Sequence, residues 1–231
     1  MARAALAARL GVMNSSGLYA LKPWYAARLA PVRRWLVTAR VSPNVITIAG
    51  IAFGGGAGIT LALLRPGPLA GVAVALLLAA RLGCANLDGT VARDSGRVTP
   101  LGAVLNEVGD RVAELAALAG CLAIAPSRLV LVAALAATLP SWVALAGAAA
   151  GLGRIQGGPV GKTERCLLLA LLAGTGLVTA MLAILAIGSA LTAAVRLARL
   201  GHRARQGHQA GQDRRTRTRL AGDGHVAEVA Q

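Results

Sequence analysis

Four acidic residues stand within 23 positions of this chain, after 87 residues that contain none. They are Asp88, Asp94, Glu107 and Asp110, and hydrophobic runs long enough to cross a bilayer flank them. Charged groups are costly at membrane depth, so acids there usually face a polar cavity, a partner or a metal ion. The segment 85–110 is therefore the predicted functional site.

The second half of this segment predicts a helix with one polar face. At about 3.6 residues per turn, four polar side chains fall within about 100° of arc. They are Asn106, Glu107, Asp110 and Glu114. The preceding helix carries Arg81 and Asp88 on one face, and we expect it to end at Asp88–Gly89, because glycine permits a tight exit. Two membrane helices would thus direct acids toward each other.

Clustered carboxylates repel one another unless a cation lies between them. Carboxylate and amide oxygens are hard ligands, so Mg²⁺ or Mn²⁺ is the expected occupant. Such ions commonly bridge phosphate oxygens, which indicates a phosphorylated substrate. The alternative is a structural network in which Arg81, Arg93 and Arg111 pair with the acids.

Composition places these helices in a membrane. Of the 231 residues, 56% are hydrophobic, and the mean hydropathy is +0.64. Uncharged runs cover residues 41–64, 129–153 and 166–195, and each exceeds the roughly 20 residues that span a hydrocarbon core. We therefore predict an all-α, polytopic membrane protein. The alternative is a soluble all-α core.

The net charge of +15 lies mainly at the chain ends and in the connecting loops. In a membrane protein this distribution marks cytoplasmic segments and favours contact with anionic lipids. It argues against a nucleic-acid partner, since only six aromatic residues are available to stack on bases. We expect a multi-pass protein of the cell membrane with both termini in the cytoplasm. The excess of arginine over lysine suggests a bacterial source.

Three regions follow from the pattern of hydrophobic and charged residues. Residues 1–43 mix aromatic and basic side chains and predict an amphipathic juxtamembrane segment on the cytoplasmic side. Residues 44–199 predict the transmembrane domain that carries the site. Residues 200–231, rich in Arg, Gln, Gly and His, predict a disordered basic tail. Translation could begin at Met1 or at Met13.

We expect six transmembrane helices. The run 166–195 is long for one span and short for two. A break near residues 174–176 would divide it and keep the arginines of the tail in the cytoplasm. In the first helix, Gly50, Gly54 and Gly58 recur every four residues, which permits close contact with another helix of the same chain or of a second chain.

At the fixed positions of segment 85–110, the chain resembles the CDP-alcohol phosphatidyltransferases. Their pattern is D-x2-D-G-x2-A-R-x8-G-x3-D-x3-D, and six of its positions match with every gap of the right length. The matches are Asp88, Gly89, Ala92, Arg93, Gly102 and Asp110. Segments around 42–47 and 158–165 also look like this family, and the resemblance covers roughly residues 18–196.

Two positions depart from the family pattern. Its first Asp is Ala85 here, and its third is Asn106. A branch of the family resembles this chain in having Asn-Glu-x-x-Asp on the third helix. Four carboxylates could balance two divalent ions, whereas this chain offers Asp88 and Asp110, with Glu107 as a possible third. The number of metal ions, one or two, therefore stays open.

The resemblance implies a membrane enzyme of phospholipid synthesis. It would move a phosphatidyl, or related phosphoryl-alcohol, group from a CDP-linked lipid donor to an acceptor hydroxyl and release CMP. Family members are commonly homodimers, and the implied cofactor is Mg²⁺ or Mn²⁺.

The resemblance also implies roles for individual residues, with Asp110 as the catalytic base. The implied metal ligands are Asp88, Asn106, Glu107 and Asp110. The implied nucleotide-binding residues are Gly89, Ala92, Arg93 and Gly102. Lys162 and Arg165 would bind the acceptor head group or the lipid phosphate, or they would only mark a cytoplasmic loop.

Two other functions stay open. The chain could be a degenerate family member with a scaffolding role, for which Ala85 and Asn106 are the evidence. It could also be a small cation transporter, although its acids crowd one end and no inverted repeat is visible in the sequence. The acceptor alcohol is not readable from the sequence, since it would be selected by pocket contacts that no short motif reports.

Overall fold

The computed structural model describes residues 25 and 27–229, with side chains to residue 206. This part of the chain contains seven α-helices, a short 3-10 helix at Gly120–Ala123 and no strand. The α-helices are α1 Ala30–Thr38, α2 Pro43–Leu63, α3 Pro68–Asp94, α4 Pro100–Ala119, α5 Ser127–Ala149, α6 Lys162–Thr175 and α7 Val178–Val229. The predicted all-α class is confirmed.

Proline sets the start of three helices that carry or support the site. Pro43, Pro68 and Pro100 lie in the first turns of α2, α3 and α4, where a missing N–H costs little and the fixed φ suits a helix. Thr99 caps α4, since its hydroxyl oxygen accepts a hydrogen bond of 3.0 Å from the Gly102 N–H. Gly102 is therefore part of the start of α4 as well as a predicted nucleotide-binding residue.

Four helices are long and apolar enough to cross a membrane, namely α2, α3, α5 and the Val178–Gln206 part of α7. The helix α4 has 20 residues, but four of them are charged, and α6 has only 14 residues. The chain is a polytopic membrane protein, as predicted. The count of six spans stays a prediction that depends on how the polar α4 and the short α6 lie in the bilayer.

The helix α3 is longer than the sequence predicts. The expected end at Asp88–Gly89 is wrong, because α3 continues to Asp94 and ends before Ser95, next to Gly96 with φ 67°. A single glycine costs a helix only about 1 kcal/mol, and the residues after it keep their backbone hydrogen bonds. Asp88 therefore lies inside a helix, which fixes the direction of its side chain.

The predicted break in the long C-terminal run is present. The helix α6 ends at Thr175, and Gly176 adopts a left-handed conformation with φ 73°. The next helix, α7, begins at Val178. Glycine adopts this conformation without strain, which explains why the chain turns at this residue.

The division into regions 1–43, 44–199 and 200–231 stays a prediction. Residues 1–24 and 26 of the first region lie outside the described residues. In the last region, the backbone of α7 continues as a helix to Val229, where the sequence predicts disorder.

The helix α2 packs against α3 and α4 through its glycine stripe. A Cβ added to Gly50 would lie 3.2 Å from the Cys84 Cβ of α3. A Cβ added to Gly54 would lie 2.5 Å from the Ala113 carbonyl oxygen of α4, closer than real Cβ atoms come. Gly58 is equally close to the α4 backbone one turn later. The stripe therefore packs within the chain and brings α2 and α4 together at backbone distance.

The helices α5 and α7 hold the loop that precedes α6. The Thr192 hydroxyl oxygen of α7 accepts a hydrogen bond of 3.0 Å from the Val160 N–H. Arg196 donates hydrogen bonds of 2.9 Å to the Gly157 carbonyl oxygen and 2.7 Å to the Pro140 carbonyl oxygen of α5. These contacts join α5, α7 and the loop, which forms one wall of the site described below.

A buried cluster of charged side chains joins α4 to α6. The Glu114 carboxylate accepts hydrogen bonds of 2.5 Å from Arg165 Nε and 2.6 Å from Arg111 Nη1. The Glu114 and Arg165 side chains are each only 5% exposed. Removal of one partner from a buried pair is strongly destabilising, because the other charge is left without compensation. The cluster therefore fixes α6 against α4.

We expect Gly54→Ala to destabilise the protein by about 1–3 kcal/mol, because its Cβ would overlap the Ala113 backbone and push α2 from α4. Gly55→Ala is the matched control, since no atom beyond the local backbone lies within 4 Å of the added Cβ. Thermal unfolding of the detergent-solubilised variants measures the difference. Equal melting temperatures for the two variants would contradict the packing.

Glu114→Gln should lower the free energy of unfolding by about 3–5 kcal/mol, since Arg165 and Arg111 would lose their carboxylate. Asp94→Asn is the control, because Asp94 pairs with Arg33 at 3.2 Å and both side chains are at least 40% exposed. Such surface pairs contribute about 0–1 kcal/mol. The same unfolding assay compares the two variants, and equal losses would mean that the buried cluster does not hold α4 to α6.

Candidate active site

Asp88 is a buried carboxylate that neutral donors hold in place. It is 4% exposed. Its Oδ1 accepts hydrogen bonds from the Gly89 N–H at 2.6 Å and Asn106 Nδ2 at 3.4 Å, and its Oδ2 accepts one from Thr47 Oγ1 at 3.2 Å. Among the described residues, no basic side chain lies within 4.0 Å of its oxygens. A buried charge without a paired cation is costly, so Asp88 is the natural ligand of an added cation.

Asp110, in contrast, faces two basic side chains. Lys162 Nζ, at the start of α6, contacts Asp110 Oδ2. Arg81 Nη2 of α3 lies 3.7 Å from Asp110 Oδ1 and donates a hydrogen bond of 2.8 Å to the Asp110 carbonyl oxygen. Arg81 is only 2% exposed, so it is a fixed part of the site.

A small cavity of about 10 Å³ lies between α2, α3 and α4, with room for about one water-sized occupant. Its lining includes Asp88, Asn106 and Asp110, together with Ala85 and Thr47. The acid on α3 and the polar face of α4 therefore do meet, as their positions in the sequence predict.

The donors around this small cavity fit a hard divalent cation. Asp88 and Asp110 offer carboxylate oxygens, and Asn106 can offer its amide oxygen. The described residues hold no group of three or more His, Cys, Asp or Glu side chains that could bind a metal ion. The set is thus two carboxylates and an amide. Mg²⁺ commonly binds with few carboxylates and completes its shell with water and phosphate oxygens.

Glu107, the fourth predicted metal ligand, has a different partner. Its carboxylate pairs with Arg154, in the loop between α5 and α6. It does not line the small cavity. The structure therefore brings three of the four predicted ligands together and uses the fourth to join α4 to the loop.

The predicted nucleotide-binding residues lie near the facing ends of α3 and α4. A Cβ added to Gly89 would lie 3.6 Å from Arg93 Nη1 and 4.0 Å from Asn106 Nδ2, so Gly89 faces the space between these side chains. Arg93 is exposed, and Ala92 and Gly102 are half-buried. The absence of a side chain at Gly89 leaves space for a ligand to come close to the backbone beside Asp88.

A larger cavity of about 450 Å³ adjoins the small one. Ala85 and Asp110 line both cavities. The basic side chains in the larger lining are Arg111, Arg154, Lys162, Arg165 and Arg196. The acids in this lining are Asp110 and Glu164, so its formal charge is positive. An anionic molecule would suit the larger cavity.

The two residues predicted to bind the acceptor or the lipid phosphate occupy different positions. The Lys162 side chain is 29% exposed and reaches Asp110, next to the small cavity. The Arg165 side chain is 5% exposed and directs its Nε to Glu114. Both residues line the larger cavity, but Arg165 is already engaged in the buried cluster.

Three residues of the site lie outside the predicted set of ligands and catalytic groups, namely Thr47, Arg81 and Arg154. Thr47 is 41 residues from Asp88, and Arg154 is 47 residues from Glu107. Helical periodicity carries no information about contacts over such separations. Arg81 could have been found from the sequence, because it lies on the same helix face as Asp88.

The family model for CDP-alcohol phosphatidyltransferase matches residues 40–200. The inner membrane protein YnbA of Escherichia coli K12 is 31% identical over 156 residues, which are 67% of this chain and 77% of that protein. Archaetidylinositol phosphate synthase of Aeropyrum pernix is 35% identical over 106 residues, which are 46% of this chain and 50% of that protein.

Solved structures of a phosphatidylinositol phosphate synthase from Mycobacterium tuberculosis are also similar, at 26% identity. With CDP-DAG bound, that enzyme matches with a TM-score of 0.59, covering 74% of this chain and 92% of its own. In complex with manganese and citrate it matches with a TM-score of 0.58, covering 74% and 87%.

The match to the family model extends over most of the transmembrane helices and contains the whole lining of the small cavity and, apart from Tyr25, that of the larger cavity. The chain is a membrane-bound transferase of phospholipid biosynthesis and belongs to the CDP-alcohol phosphatidyltransferase family.

Proposed function

We propose that this enzyme transfers a phosphatidyl group from CDP-diacylglycerol, or a related CDP-linked lipid, to a phosphate-bearing alcohol and releases CMP. Mg²⁺ or Mn²⁺ is the proposed cofactor. The observation that carries the proposal is the position of Asp110, which lines both the small acidic cavity and the larger basic cavity. With the CDP diphosphate beside the first cavity and the acceptor in the second, the reacting groups would meet at Asp110.

Asp110 is the proposed base. Its carboxylate takes the proton of the acceptor hydroxyl while the hydroxyl oxygen forms a bond to the lipid-linked phosphorus. The bond from that phosphorus to the bridging oxygen breaks, and CMP leaves with its electron pair. A divalent ion held by Asp88 and Asn106, beside Asp110, would stabilise the charge that develops on the leaving CMP. Lys162 and Arg81 hold the Asp110 carboxylate in position.

The proposed nucleotide contacts keep the residues named from the family resemblance. They are Gly89, Ala92, Arg93 and Gly102. The exposed Arg93 guanidinium suits a phosphate oxygen, and the absence of a side chain at Gly89 leaves room beside Asp88. Lys162 lies where it could contact a lipid or acceptor phosphate, whereas Arg165 acts through Glu114.

A phosphate on the acceptor explains the charge of the larger cavity. Its lining carries five basic side chains and two acids, and Glu107 and Glu114, which pair with three of these basic side chains from outside the lining, leave a net excess of one positive charge. A free polyol carries no charge and gains little from such a surface. Two similar proteins are synthases of inositol phosphate lipids by name, which supports an acceptor of this class.

The proposed location is a bacterial cytoplasmic membrane, with both termini and the site on the cytoplasmic side. The distribution of basic residues supports this orientation, since arginines cluster near the chain ends. A homodimer stays a prediction, because the glycine stripe that could have served it packs within the chain.

Release of CMP from CDP-diacylglycerol tests the proposal directly. Purified protein with Mn²⁺ or Mg²⁺ and a panel of alcohols should release CMP, and Asp110→Asn should lower the rate by about 10²–10⁴-fold, the usual contribution of a positioned base. Asp94→Asn should keep full activity, because that carboxylate pairs with Arg33 away from both cavities. Full activity in Asp110→Asn would contradict the assigned base. A folded wild type without CMP release would favour a scaffolding role.

The choice of acceptor has its own test. Glycerol 3-phosphate and inositol phosphate should give kcat/KM values at least tenfold above those for glycerol, inositol and serine, because the larger cavity is lined by basic side chains. The measurement is the rate of CMP release at varied acceptor concentration. A free alcohol that matches the best phosphorylated acceptor would contradict the assignment.

A further inference from the structure

We infer that this enzyme holds one divalent ion per chain, on Asp88 and Asn106, and that the Lys162 ammonium takes the place of a second cation beside Asp110. The inference rests on the proposed function and adds to it the number of metal ions and a role for Lys162. Three observations support it: the lining of the small cavity, the partners of the two acids, and the position of Lys162.

The lining of the small cavity lacks the oxygen ligands that a second ion requires. Ala85 lies one turn before Asp88 on α3 and contributes only a methyl group to the wall. Asn106 contributes an amide, which can ligate a metal ion but carries no charge. Asp88 and Asp110 are thus the two carboxylates in the lining, against the four that could balance two divalent ions.

The two acids differ in their partners, because basic side chains compensate the charge of Asp110 and none compensates that of Asp88. Lys162 Nζ contacts Asp110 Oδ2, and Arg81 Nη2 lies 3.7 Å from Asp110 Oδ1. Each Asp110 oxygen therefore already faces a positive charge. Asp88 accepts its hydrogen bonds from a hydroxyl, a backbone N–H and an amide, and no basic side chain of the described residues lies within 4.0 Å of it.

The position of Lys162 disfavours a second ion beside Asp110. A second dication would approach the Lys162 ammonium, which already contacts Asp110, and the two positive charges would repel each other.

Lys162 thus acts as a positioning residue that holds Asp110 from the side opposite to a single ion on Asp88. A role in phosphate binding alone would predict something different. In that case Lys162 would have no influence on how many metal ions the protein holds. Metal stoichiometry therefore separates the two roles, and it does so without reference to catalytic rate.

The first measurement is a titration of the detergent-solubilised, full-length protein with Mn²⁺, in which electron paramagnetic resonance counts the free ion. It is made with and without CDP-diacylglycerol. We expect one Mn²⁺ per wild-type chain in both conditions, none in Asp88→Asn, and one in the control Asp94→Asn. Two ions per wild-type chain would overturn the inference and leave the proposed function intact. No binding by the wild type would overturn both.

A pair of combined variants tests Lys162 itself. Ala85→Asp with Asn106→Asp restores the two missing carboxylates, and a third substitution, Lys162→Met, removes the ammonium. The triple variant should bind a second Mn²⁺ at least tenfold more tightly than the double variant, with magnetic coupling between the two ions in the spectrum. Equal affinity for the second ion in the two variants would show that Lys162 does not stand in for a cation.

Discussion

Compensation of buried charge is the constraint on which the rest of this structure depends. Three acids, Asp88, Asp110 and Glu114, lie on helices packed among apolar neighbours, where an unpaired charge is costly. Arg165 compensates Glu114, and Lys162 compensates Asp110, and both basic residues come from α6. Asp88 is held by neutral donors alone. In the proposed mechanism, this asymmetry separates Glu114, which organises the fold, from Asp110, the proposed base, and from Asp88, the proposed metal ligand.

Close packing of the helices brings these charged side chains together in one site. The absence of side chains at Gly54 and Gly109 lets α2 and α4 approach at backbone distance, and a Cβ on Gly109 would lie 2.7 Å from the Thr47 methyl carbon. Because α2 comes so near, the Thr47 hydroxyl reaches Asp88 on α3. On the other side of the site, α6 brings its basic residues to α4. The chemistry therefore depends on glycines that take no part in it.

Local properties of the chain were predictable, and contacts between distant helices were not. The helical period predicted the polar face of α4, and the fixed gaps of the motif located its six matching positions. The period and the gaps are both properties of residues close together in the sequence. The end of α3 was misplaced because Gly89 alone does not outweigh the hydrogen bonds of the turn that follows. The pairing of Glu107 with Arg154 and the burial of Arg165 could not be predicted, since they depend on how α4, α6 and the intervening loop pack.

The central claim is that Asp88 and Asp110, on neighbouring helices, form one metal-dependent phosphotransfer site with distinct electrostatic roles. A structure of the protein grown with Mn²⁺ and CMP, with anomalous diffraction recorded at the manganese edge, tests it most directly. We expect one anomalous peak per chain, beside Asp88 and Asn106, with CMP phosphate next to it and the Lys162 ammonium still on Asp110. Two peaks between the acids, or a peak elsewhere in the molecule, would contradict this account.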